Sequence, residues 1–103
     1  MLNVSNAQAE LKQKNYNQIQ EQTAWTWGSR AAACFQNLVD GHADKLACWT
    51  LGEEYLHEAI EHAALADDGS LVKLLRDAVI PYQEKASAVM AGNFAVTPAA
   101  PNA

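Results

Sequence analysis

Apolar side chains return every three or four positions along three stretches of this chain, the spacing that lines one face of an α-helix. In the first stretch, about 17 to 39, the stripe is Ala24, Trp27, Gly28, Ala31, Cys34, Phe35 and Leu38, with Gln22, Thr26, Ser29, Arg30 and Asn37 opposite. Trp25, Ala32 and Val39 widen it to about half the circumference, so this helix is expected to touch two other elements rather than one. The second stretch, about 44 to 66, carries Cys48, Trp49, Gly52, Tyr55, Leu56, Ala59, Ile60 and Ala63 on one side. The third, about 70 to 91, keeps Leu71, Leu75, Ala78, Tyr82, Ala86 and Val89 in phase straight through Pro81. Proline there removes one amide donor and crowds the carbonyl of Asp77, which predicts a bend within one helix rather than its end. The fold class that follows is all-α, an antiparallel bundle of three main helices.

Turn chemistry places the boundaries. Asp40 and Gly41 supply a stop, because glycine takes the left-handed conformation that ends helices. Asp67, Asp68 and Gly69 end the second helix, Ser70 is placed to cap the third, and Gly92 marks its end. Ser5 and Gln8 have the spacing of a capping box, and Val4, Ala7 and Leu11 lie out of phase with the stripe that follows. Residues 1–16 therefore read as an N-terminal arm or short helix, broken from the next near Asn15 to Asn17. The bundle domain is 17–92, and residues 93–103, rich in Ala, Pro and Asn, read as a flexible tail.

Trp-Thr-x-Gly occurs twice, at Trp25 to Gly28 and at Trp49 to Gly52. Folding the two helices back about Asp40-Gly41 brings together positions whose numbers sum to roughly 80, which sets Gly28 beside Gly52 and Cys34 near Cys48. Each glycine gives up about 1 kcal/mol of helix propensity, a loss that close helix approach with tryptophans alongside would offset. Trp25, Trp27, Gly28, Trp49, Gly52 and Tyr55 are thus the expected packing and interface residues.

Composition narrows the picture. Half of the residues are hydrophobic, but many are alanines that bury little area, so the aromatic side chains carry much of the burial. Seven Lys and Arg against twelve Asp and Glu give a net charge of −5, which disfavours nucleic acid and anionic membrane surfaces. No run approaches the ~20 apolar residues of a membrane span, and no signal-like leader opens the chain, so a cytoplasmic location is expected. Two cysteines without metal spacing read as free thiols packed in the core, with Cys34 raised in pKa and inert.

Chemistry could reside in Glu54-Tyr-Leu-His57-Glu58-Ala-Ile-Glu61-His62. It contains Glu-x-x-His, the pair that ferritin-like di-iron helices turn inward, and a His57–Glu61 spacing compatible with metal ligation. Against that, Glu54, His57, Glu58 and Glu61 fall between about 140° and 240° from the apolar stripe, with His62 alone near its flank. Glu21 lies on the apolar side of the first helix, roughly level with Glu58. An interface between subunits could therefore assemble Glu21, Glu54, His57, Glu58, Glu61 or His62 around Fe, Mn or Zn. No Gly-rich phosphate loop is present, and the spacing around His42 demands no nucleophile. The favoured expectation is a non-catalytic helical interaction or structural protein with no cofactor, forming a homodimer; the metal-binding bundle is the alternative.

Overall fold

A computed structural model of the chain describes residues 2–66 and 69–94. These form three helices that all pack on one another, α1 (Leu2–Asp40), α2 (Lys45–Leu65) and α3 (Gly69–Phe94), with no strand among the described residues. The three-helix bundle expected from periodicity is the observed fold.

The α1–α2 turn forms as its residues dictate. Gly41 has φ +74°, its N–H donates to the Leu38 carbonyl at 3.2 Å, and the His42 N–H donates to the Asn37 carbonyl at 3.1 Å. This pair of bonds satisfies carbonyls that the end of α1 leaves free. Asp44 then caps α2, its carboxylate accepting from the Ala47 N–H at 2.8 Å.

Three expected boundaries are corrected. α1 is one helix from Leu2 to Asp40, so Ser5 lies inside it and no break occurs at Asn15 to Asn17. Asparagine costs only tenths of a kcal/mol in a helix, and with no Gly or Pro nearby nothing there outweighs continuation; the Gln13 amide also donates to Asn17 Oδ1 at 2.9 Å, spanning the supposed break. α3 runs through Pro81 as expected, but it passes Gly92 to Phe94 and starts at Gly69, so Gly69 opens α3 rather than ending α2 and Ser70 lies within its first turn; Asp67 and Asp68 lie outside the described residues. Residues 95–103, expected as a tail, lie outside the described residues.

The core is a seam of small and large side chains between the helices. One cluster joins Ala31, Phe35, Leu38, Cys48, Leu56, Val79 and Ala86; the other joins Ala24, Ala59, Ala63, Ala66, Leu71 and Leu75. Each draws on all three helices, so the wide apolar arc of α1 does meet two neighbours. Gln20 contacts His62 and Trp27 contacts Tyr55, a register that sets Leu65, the end of α2, level with about residue 17 of α1. Residues 7–16 are all exposed. The first fifteen or so residues of α1 thus project about 22 Å beyond the bundle at 1.5 Å per residue.

Candidate functional site

The Glu54–His62 stretch occupies the outer side of α2, as its angular position requires. Glu53, Glu54, His57 and Glu61 are exposed and Glu58 is half-buried; all of these except Glu61 line a shallow depression that also reaches Trp27 and Tyr55. His57 Nε2 lies 3.3 Å from Glu61 Oε2, but both side chains are more than half exposed. An i,i+4 pair in that setting contributes at most about 0.5 kcal/mol. His62 turns the other way: its Nδ1 lies 2.5 Å from Gln20 Oε1, an atom that only accepts, so the imidazole donates from Nδ1 in this contact. Its Nε2 is 4.0 Å from Glu58 Oε1.

Four of the six metal candidates fall into two pairs, and Glu54 and Glu21 join neither. His57 meets Glu61, His62 meets Gln20 and Glu58, Glu54 stands in solvent, and Glu21 is exposed where α1 passes Leu71 at the start of α3. Among the described residues no three His, Cys, Asp or Glu side chains are grouped to hold a metal ion. Within one chain the arrangement supplies polar contacts on a helix surface, not a coordination sphere.

The aromatic and glycine positions are more organised. Trp27 and Tyr55 pack with ring centroids 5.3 Å apart and planes tilted by 37°, and the Arg30 guanidinium covers the Trp27 ring at 4.9 Å. Trp49 packs on Phe35 at 5.5 Å. The expected pairing of Gly28 with Gly52 is corrected: each glycine accommodates a large side chain instead. A Cβ on Gly28 would stand 3.0 Å from Leu75 Cδ1 of α3, and one on Gly52 would stand 2.5 Å from Phe35 Cε1. Side chains on a helix lean toward its N-terminus, so the Phe35 ring reaches past its own level to Gly52.

Trp25, the first residue of the repeat, points elsewhere. With Tyr82 it flanks a groove between α1 and α3 floored by Gly28, Ser29, Ala32, Ala78 and Val79, with a volume of about 210 Å³. Trp25 is 37% exposed, Tyr82 40% and Leu74, one turn before Ala78, 58%. Periodicity put Tyr82 in the core stripe of α3; the bulk of its ring beside the small floor residues leaves it at the edge. The outward residues Leu74 and Ala78 carried a sequence signal, an apolar arc on α3 wider than one neighbour covers, which went unread for Leu74.

Cys34 is half-buried and Cys48 buried, both as free thiols. Burial first, and the neighbouring Cys48 second, push the Cys34 thiol above its ordinary pKa. No described helix is long and apolar enough to cross a membrane. No family model matches this chain, and no curated protein or solved structure shows a significant similarity to it.

Proposed function

We propose that this chain is a non-catalytic helical interaction protein that associates with a second copy of itself through the α1–α3 groove. The observation that carries the reading is the exposure of Trp25 (37%) and Tyr82 (40%) on either side of a floor of small residues. Aromatic rings left in water forgo burial worth about 25 cal/mol per Å², and contiguous apolar patches on monomers are commonly interaction sites. This patch contains both protrusions, Trp25 and Tyr82, and hollows, Gly28, Ser29 and Ala32, so it is suited to an isologous contact in which each copy fills the other's hollow. Its ends differ in charge. Glu21 lies at the Leu71 end, while Lys85 follows Tyr82 by three residues at the other. A two-fold axis across the groove brings each Glu21 toward the Lys85 end of the second copy.

Sedimentation velocity of the untagged chain tests the reading. Wild type is expected to sediment as a dimer at tens of micromolar, and the Trp25→Glu/Tyr82→Glu variant as a monomer with unchanged helical circular dichroism. A wild-type monomer at that concentration, or a variant that remains dimeric, would falsify the proposal.

A further inference from the structure

Counted outward from Gly41 in steps of seven, three pairs of positions fall at matching places along α1 and α2: Cys34 with Cys48, Trp27 with Tyr55, and Gln20 with His62. The two outer pairs are in contact, Trp27 and Tyr55 at 5.3 Å between centroids and Gln20 and His62 at 2.5 Å. Seven residues make close to two turns of each helix, so successive rungs return to the same face, and the innermost rung carries the two cysteines. The turn at Gly41 anchors α1 and α2 at that end, with Cys48 bonded through its N–H to the Asp44 carbonyl at 3.0 Å. Fully buried Ala24, Ala59 and Ala63 farther along the seam let the helices lie close.

We propose that Cys34 and Cys48 are a modification site, closing a reversible disulfide across the α1–α2 hairpin in exchange with a small disulfide such as oxidised glutathione. Cys34, the more accessible of the two, reacts first: it loses its proton to solvent, and its thiolate attacks one sulfur of the oxidant. A mixed disulfide forms and one glutathione thiolate leaves. Cys48 then loses its proton, attacks Cys34 Sγ and expels the second glutathione. The protein loses two protons and two electrons, and one oxidised glutathione takes them up to become two reduced molecules. Burial and the neighbouring Cys48 raise the Cys34 thiol above its ordinary pKa, so the first step, which needs the thiolate, accelerates as pH rises. Cys34 and Trp25 are nine residues apart on α1, about half a turn of direction at 100° per residue, so the bond forms on the side away from the α1–α3 groove. The site and the self-association surface are independent.

The test incubates the reduced full-length chain with oxidised glutathione under native conditions and follows intact mass without reductant. Wild type is expected to lose two hydrogens, to retain no free thiol, to yield a Cys34–Cys48 linked peptide and to regain its original mass with dithiothreitol. Cys48→Ser is expected to stop at the glutathione adduct of Cys34. Wild type accumulating glutathione adducts, remaining unmodified after denatured protein has oxidised fully, or forming only disulfides between chains would overturn the proposal.

Discussion

Gly52 lies against the ring of Phe35 so closely that a Cβ added to it would stand 2.5, 2.8 and 2.8 Å from three ring carbons. Phe35 is fully buried and packed on Trp49, so it has little room to withdraw. Gly52→Ala is therefore expected to destabilise by about 1–2 kcal/mol, overpacking outweighing the gain in helix propensity. Gly28→Ala meets the tip of Leu75 at 3.0 Å, beside the open α1–α3 groove. Leu75 is fully buried too, but its methyl needs to give by only a few tenths of an ångström where three ring carbons of Phe35 must move farther, so Gly28→Ala is expected to cost less than Gly52→Ala, the gain in propensity offsetting most of the contact. Urea unfolding of the two variants measures the contrast; equal losses would contradict it.

Trp27 and Tyr55 form the middle rung of the α1–α2 contact. A double-mutant cycle with Trp27→Ala and Tyr55→Ala is expected to give a coupling of about 0.5–1.5 kcal/mol beyond the burial each loses alone. Additive single effects would show that the 5.3 Å packing contributes area and nothing specific.

The projecting part of α1 buries no side chain between residues 7 and 16. Deleting residues 1–14 is expected to cost less than about 1 kcal/mol and to shift Tm by only a few degrees, while helical ellipticity falls by the length removed. Thermal unfolding by circular dichroism reads both quantities. Collapse of the melting transition would mean that the arm supports the bundle.

Adding Zn²⁺, Mn²⁺ or Fe²⁺ to the chain is expected to move Tm by less than about 1 °C, since the Glu54–His62 side chains come together only in pairs and a bound metal stabilises in proportion to its affinity. Differential scanning fluorimetry checks this directly. A shift of several degrees that His57→Ala or His62→Ala abolishes would reinstate an assembled site.

Cys34 has its thiol pKa raised by burial and by Cys48. Its alkylation by iodoacetamide should therefore be slower at pH 7.5 than that of the unfolded chain and should rise with pH about tenfold per unit until the thiol titrates. Cys48→Ser removes the second of the two causes, so the variant's rate profile is expected to move toward lower pH. The sign for stability follows. The folded state holds this proton more tightly than the unfolded state, so the associated stability is complete below the unfolded pKa and is lost as pH rises through the folded one.

Much of the fold was legible in local spacing. The three apolar stripes and the stop at Asp40-Gly41 follow from helix periodicity and turn chemistry, which consecutive residues carry within themselves. The outward facing of Glu54, His57, Glu58 and Glu61 was legible for the same reason, since rotation along one helix needs no knowledge of its neighbours. The break expected at Asn15 to Asn17 does not form, because weak helix formers in the middle of a long helix cost less than ending it.

What the sequence by itself determined is the all-α bundle of three main helices, the turn between the first two and, for most positions, the face each helix turns inward; the true length of α1 was not among them. Only the tertiary structure decided that Gly28 receives Leu75 and Gly52 receives Phe35, that Tyr82 and Trp25 stay half-open to solvent beside a shallow groove, and that His62 reaches Gln20. Those outcomes depend on which side chain of a different helix arrives at each position and how much volume it brings. Packing is settled between segments distant along the chain, where periodicity is silent.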